Sequence, residues 1–122
     1  MKPIAITEMN GIPIINLDGE VDLYSTDQIT TAIRKLVGEE KRNMIIDLKQ
    51  VPYVDSSGLG SFISNMRFLK DQDGDLKFIH PTEKVINLLR LTKLNTILEI
   101  YDSAEEALQK FAEPAAAHSD MR

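Results

Sequence analysis

Hydrophobic and polar residues alternate along the start of the chain in the way that half-buried strands require. The alternation runs from residue 4 to residue 17, and Asn10-Gly11 interrupts it as a two-residue hairpin turn does. Residues 12–18 contain the β-branched side chains Ile12, Ile14 and Ile15, and this second strand is predicted to be the more buried of the two. The chain is therefore predicted to open with two antiparallel strands.

Four later segments follow the spacing of amphipathic helices. The first begins after Ser25, which forms the sequence pattern of a capping box with Gln28. The second opens at Asp55, and Ser103 is predicted to cap the last. Between successive helices lie three short apolar runs that are predicted to be strands: residues 44–48, 76–79 and 97–101.

The order of these elements is strand, strand, helix, and then strand and helix in alternation. It predicts an α/β fold with a mixed, mostly parallel sheet of about five strands and about four α-helices, joined by right-handed crossovers. Residues 44–48 are predicted to form the central strand, and functional loops are expected beyond the carboxyl ends of the strands. The 122 residues fit one domain, predicted to span residues 1–113, with residues 114–122 as a disordered tail.

Composition narrows the classes of function. Hydrophobic residues make up 43% and charged residues 27%, as in folded globular proteins. The net charge of -5 gives no uniform positive field for nucleic acid, and the absence of cysteine excludes disulfides and cysteine-based zinc sites. With two histidines, one of them in the predicted tail, neither a metal site nor a cofactor is expected. No apolar run has the length of a membrane span or a signal peptide, so we expect a cytoplasmic protein without membrane contact.

The most unusual segment connects the predicted central strand to the second helix, with the sequence Val54-Asp55-Ser56-Ser57-Gly58-Leu59-Gly60. It places two hydroxyl groups at a helix start, where backbone N–H groups lack partners and the helix dipole is positive. Such a position suits a side-chain cap, a bound anion or a covalent phosphate. On these physical grounds alone simple capping is favoured, with Gly58 and Gly60 permitting close packing of the helix on the sheet.

The Asp55-to-Gly60 string, the segment Gly19-Glu20-Val21-Asp22 and the order of elements together resemble the STAS domain of bacterial anti-sigma factor antagonists and sulfate transporters. The resemblance spans about residues 4–111. In that family a partner serine kinase phosphorylates the first serine of the string, which corresponds here to Ser56. The resemblance further implies partner-binding roles, and no catalytic role, for Asp22, Asp55, Ser57, Gly58, Leu59 and Gly60.

A free-standing chain is similar to the antagonist branch of the family rather than to the transporter branch. The resemblance implies partner switching, in which the unphosphorylated protein binds an anti-sigma factor of GHKL kinase type and thereby releases a sigma factor. Phosphorylation of Ser56 would end that binding, because a phosphoserine adds about -1.5 to -2 charge and would repel an acidic partner surface. The expected partners are this kinase and a serine phosphatase, and the chain itself is expected to be a monomer or weak dimer.

Three alternatives remain open at this stage. An enzyme would use Ser56 or Ser57 as nucleophile with His80 as base, although the Gly-x-Ser-x-Gly elbow is absent. A nucleotide-binding module would use Gly58 and Gly60, although no complete phosphate-binding glycine motif occurs. A STAS scaffold subunit of a larger signalling or lipid-transport complex would not need phosphorylation of Ser56. We expect a regulatory protein rather than an enzyme.

Overall fold

A computed structural model of the chain describes residues 1–112. The predicted domain end at residue 113 and the predicted tail, residues 114–122, lie outside this range. The elements are β1 (Ala5–Met9), β2 (Ile12–Asp18), α1 (Thr26–Gly38), β3 (Asn43–Gln50), α2 (Ser56–Asp71), β4 (Asp75–Ile79), α3 (Glu83–Leu91), a 3-10 turn (Leu94–Thr96), β5 (Glu99–Tyr101) and α4 (Ala104–Ala112). This order confirms the predicted α/β class, with five strands and four α-helices in the described residues.

The strands form one sheet in the order β1-β2-β3-β4-β5. β1 runs antiparallel to β2, and each later neighbour pair is parallel. β3 lies in the middle with residues 44–48 all buried, which confirms the prediction of a central strand. Because the parallel strands share one direction, their carboxyl ends and the loops that follow them meet at one edge of the sheet.

The two faces of the sheet are covered unequally. α1, α2 and α3 cover one face, where Ile15, Ile46 and Phe78 pack in the larger core. The rings of Phe62 and Phe78 lie 4.9 Å apart in a tilted pair. α4 covers the other face with a smaller cluster of Ile14, Ile45, Ile79, Ala104 and Ala107. Leu59, Phe62 and Met66, which form the apolar face of α2, pack in the larger core.

The first helix does not begin as the sequence pattern predicts. Ser25 precedes α1, but its backbone is already close to helical, at φ -101° and ψ -12°, and its side chain makes no capping hydrogen bond. Its hydroxyl instead accepts the N–H of Asp22 at 2.8 Å. Asp22 Oδ1 in turn accepts the N–H groups of Tyr24 and Ser25 at 3.0 and 3.1 Å. The prediction of a capping box at Ser25 is therefore wrong, and Asp22 orders the turn that leads into α1.

The second helix begins as predicted and lies unusually close to the sheet. Asp55 caps it by accepting the N–H of Gly58 at 2.8 Å. A Cβ atom at Gly58 would lie 2.7 Å from Val21 O and 2.7 Å from Val54 Cγ1, whereas a Cβ at Gly60 would meet nothing within 4 Å. Close packing therefore explains Gly58, and it does not explain Gly60.

A buried lysine holds a charged cluster on the face that α4 covers. Lys77 Nζ lies 2.9 Å from Asp75 Oδ2, 3.0 Å from Glu99 Oε1 and 4.5 Å from the ring centroid of Phe111. Burial by itself raises the pKa of Asp75, but hydrogen bonds with Glu99, Lys77 and the Leu76 N–H, with the charge of Lys77, bring the pKa below its ordinary 3.8. The ionised carboxylate is therefore favoured in the folded state.

We expect the Asp75→Asn substitution to lower the free energy of unfolding, and we expect this effect to become smaller as the pH falls. A carboxyl whose folded-state pKa is depressed stabilises the fold above its unfolded-state pKa, and this stabilisation is lost as the pH falls through the folded-state pKa. The variant should be less stable than the wild type at pH 7, and the difference should shrink below about pH 3.8. Urea denaturation of both proteins at pH 7 and at acid pH measures this difference in stability. Asp73→Asn, at an exposed turn residue, is the control, and an equal narrowing there would contradict the assignment.

Replacing each α2 glycine by alanine should have opposite effects on stability. Gly58→Ala should lower the free energy of unfolding by about 1–3 kcal/mol, because the new methyl group meets backbone and a packed valine. Gly60→Ala should raise it by about 0.5–1 kcal/mol, because alanine favours the helix and the space there is open. Chemical denaturation of both variants measures this, and equal losses would show that the start of α2 does not depend on close packing at Gly58.

Candidate functional site

The loops that follow β2 and β3 are joined at the carboxyl edge of the sheet. Val21 N–H donates to Tyr53 O, and Asp55 N–H donates to Val21 O, both at 3.0 Å. Val21 and Val54 thereby form an isolated parallel bridge beyond the ends of the two strands. Since Asp22 follows Val21 and α2 follows Asp55, the bridge brings the two motif segments that the sequence singled out to one place.

The start of α2 presents an accessible hydroxyl at the positive end of a helix. Ser56 is the first residue of α2 and is exposed, and Ser57 is half-buried. The cap at Asp55 occupies the N–H of Gly58, while within residues 1–112 no protein acceptor pairs with the N–H groups of Ser56 and Ser57. The hydroxyl of Ser56 likewise has no hydrogen bond in the described part of the chain. This environment can accept local negative charge on Ser56.

The structure brings the predicted partner-binding residues together but exposes them to different degrees. Gly60 is exposed, whereas Asp22, Asp55 and Ser57 are half-buried, and both Asp22 and Asp55 spend a carboxylate oxygen on ordering the backbone. Gly58 and Leu59 are buried against the sheet. Direct contact with a partner is therefore open to Gly60 and to the polar edges of the half-buried residues, while Gly58 and Leu59 position the helix.

Three apolar side chains in the same two loops were not singled out from the sequence. Leu23 and Tyr24 follow Asp22 and are 64% and 87% exposed, and Tyr53 in the loop before α2 is 42% exposed. The sequence does indicate them, because they are large apolar residues in turn segments and do not fit the apolar spacing of any strand or helix. They add exposed apolar surface to the two joined loops, which is typical of sites that contact another protein.

The position of α2 relative to α1 is held by a buried amide that the sequence analysis also missed. Asn65 lies on the buried side of α2, where Nδ2 donates to Ser61 O at 2.9 Å and to Thr30 Oγ1 of α1 at 3.2 Å. Arg67 and Lys70, by contrast, are exposed. The exposed stripe of α2 therefore starts at Ser56 and continues past Gly60 toward Arg67.

His80, the candidate base of the enzyme alternative, interacts with Asp47 and not with the serines. His80 Nδ1 lies 3.2 Å from Asp47 Oδ2, and Asp47 shares its sheet face with Ile45, the face that α4 covers. Neither Ser56 nor Ser57 is hydrogen bonded to His80 among the described residues. The structure thus does not form the nucleophile and base pair that the enzyme alternative requires.

Residues 1–112 contain no group of three or more histidine, aspartate or glutamate side chains placed to hold a metal ion. In the same residues, no helix combines the length and the apolar character needed to cross a membrane.

Comparison with known proteins places these features in a family. Residues 3–107 match the family model of the STAS domain. An anti-sigma-B factor antagonist from Bacillus subtilis is 35% identical over 95 residues, which cover 78% of this chain and 86% of that protein. The residues that match the family model include both loops and α2.

Solved structures agree with the fold. A crystal structure of an anti-sigma factor antagonist from Mycobacterium paratuberculosis has a TM-score of 0.77 at 20% identity, covering 90% of this chain and 93% of that one. Structures of SpoIIAA give TM-scores of 0.71 for the unphosphorylated form, at 22% identity, and 0.64 for the phosphorylated Bacillus form, at 21%. They cover 88% of this chain and 94% and 97% of theirs. The chain therefore belongs to the STAS domain family, among its anti-sigma factor antagonists.

Proposed function

We propose that this antagonist binds a GHKL-type kinase that is also an anti-sigma factor, and that phosphorylation of Ser56 switches the binding off. The observation that carries the proposal is the exposed, unpaired Ser56 hydroxyl at the start of α2, beside two N–H groups without protein acceptors. The Bacillus subtilis relative is named an antagonist of an anti-sigma factor, and the fold neighbour SpoIIAA has been solved in phosphorylated and unphosphorylated forms. These likenesses support the same role here.

In the unphosphorylated state the partner would contact both the apolar and the polar parts of the site. Leu23, Tyr24 and Tyr53 provide exposed apolar area in the two loops that are joined at Val21. Tyrosine is enriched among the residues that dominate binding energy, because its ring buries a large area while its hydroxyl remains hydrated. Gly60 leaves the helix surface flat beside Ser56, which lets a partner approach the backbone closely.

Phosphorylation would act through charge. A phosphate on Ser56 adds about -1.5 to -2 charge and three acceptor oxygens, which the free N–H groups and the helix dipole can stabilise in place. The carboxylates of Asp22 and Asp55 are held in the same two joined loops. The added charge would therefore repel an acidic partner surface, and the fold itself would not need to change.

The chain serves as a phosphoryl acceptor and not as the catalyst in this proposal. The kinase supplies ATP and the base that removes the Ser56 proton, the Ser56 oxygen bonds to the γ-phosphorus, and ADP leaves. A serine phosphatase would hydrolyse the ester and restore the hydroxyl. Such a cycle, with its sigma factor, would operate in the cytoplasm.

Two baits that differ only at Ser56 test the switch. A Ser56→Ala bait should enrich a GHKL-type kinase from native lysate, and a Ser56→Asp bait should capture at least about tenfold less of it, because one interfacial like-charge contact costs more than about 1.4 kcal/mol. Quantitative mass spectrometry against the wild-type chain measures the ratio. Ser64→Ala and Ser64→Asp are matched controls, since Ser64 is an exposed serine two turns along the same helix.

Equal capture of the kinase on the Ala and Asp baits would overturn the switch. Absence of any kinase, together with a stable assembly on both baits, would favour the scaffold alternative, in which Ser56 only begins a helix. The Ser64 pair excludes the trivial explanation that any added charge on α2 disturbs capture.

The exposed side chain of Tyr24 is expected to contribute to binding of the kinase. Tyr24→Ala should weaken binding of the captured kinase by about tenfold or more, because a central interface tyrosine contributes on the order of 1–2 kcal/mol. Leu91→Ala is the control, since Leu91 is 82% exposed at the far end of α3. Isothermal titration calorimetry measures the affinity of both variants for the kinase. Equal losses of affinity in the two variants, or no loss for Tyr24→Ala, would show that the β2-α1 loop does not contact the kinase.

A further inference from the structure

An apolar groove lies between β1 and α1, away from the serine site. Its volume is about 670 Å³, and Ile4, Ile6, Ala32 and Leu36 contribute its apolar surface. Ile6 is 44% exposed although it faces this groove. Exposed apolar surface of this kind on a single domain marks the groove as a candidate contact surface.

The edge of β1 beside the groove is free to form hydrogen bonds. β1 and β2 are joined by a two-residue turn with positive φ at Asn10 and Gly11, in which Met9 and Ile12 form the first hydrogen-bonded pair. Hydrogen-bonded pairs alternate with non-bonded pairs along an antiparallel ladder, so the backbone groups of Ile6 and Glu8 point away from β2. All five residues of β1 are exposed, and nothing in the described residues covers this edge.

The helix that borders the groove has charges arranged symmetrically about its middle. Asp27, Thr31 and Lys35 all line the groove and are spaced four residues apart, so they lie on one face of α1. Two copies of α1 packed antiparallel about an axis at Thr31 would place Asp27 of each copy opposite Lys35 of the other. A two-fold axis at Thr7 would likewise place the free edge groups of Ile6 opposite those of Glu8.

From these three features we infer that β1 and α1 form the interface of a symmetric homodimer, in which two β1 strands pair antiparallel and two grooves close over each other. The strand edges supply backbone hydrogen bonds, the groove supplies apolar area around Ile6, and the Asp27 to Lys35 pairs fix the register. The patch consists of one short strand and one helix face, so the dimer is weak.

This interface is separate from the proposed switch. The groove contains no residue of α2 and none of the loop that precedes it. A change at Ser56 is therefore expected to alter binding of the kinase and to leave dimerisation unchanged. Failure of one proposal thus does not imply failure of the other.

The test uses charge reversal across the two-fold axis. Sedimentation equilibrium of the full chain, from about 1 μM to about 1 mM, measures the dissociation constant in the range where weak interfaces associate. Asp27→Lys alone and Lys35→Asp alone should each raise the dissociation constant by about tenfold, because like charges then face each other. The double variant should return it toward the wild-type value, a rescue that an unrelated peptide or lipid in the groove would not produce.

Two further variants test the strand edge and exclude a general effect of surface hydrophobicity. Ile6→Lys should abolish the dimer over this concentration range, whereas Leu91→Lys, at a more exposed apolar residue, should not change it. If Ile6→Lys proves unfolded by circular dichroism, concentration-dependent amide exchange of Ile6 and Glu8 in the wild-type chain replaces it, with protection expected at high concentration. A wild-type chain that is monomeric throughout, or a double variant without rescue, would overturn the proposal.

Discussion

Two backbone hydrogen bonds at Val21 join the loop after β2 to the loop after β3, and the exposed end of the molecule is built around them. They require α2 to start almost in contact with the strand ends, which is sterically open only to glycine at Gly58. The N-terminus of α2 is thereby held at the sheet edge, and Ser56, its first residue, is exposed. A fixed position matters for a switch, because a charge added there changes the surface at one defined place.

The remaining polar groups lie on the face of the sheet that α4 covers. His80 bonds to Asp47 on the α4 face, and the same face holds the buried ion cluster around Lys77. These groups have partners within the fold and stabilise it, whereas Ser56 has none in the described residues. The β1 edge lies at the side of the sheet, so a dimer formed through it would carry two serine ends that remain free to bind two partner subunits.

Much of this architecture could be predicted because its signals are local. Apolar spacing distinguishes strands from helices within a few residues, and the alternation of the two elements restricts the sheet to a small set of topologies. Asp55 could be identified as a cap because capping depends on a side chain and a backbone N–H three residues apart. The role of Ser56 came from family resemblance, since spacing alone favoured simple capping.

The amino-acid sequence by itself determined the order of elements, the buried faces and the position of the serine at a helix start, since each depends on neighbours in the chain. Only the tertiary structure decided that Gly58 is needed for packing and Gly60 is not, because the difference lies in contacts with Val21 and Val54, distant in sequence. It also decided that the loops after β2 and β3 are joined through Val21 and Val54, because long-range strand pairing, which local periodicity does not encode, brings them together.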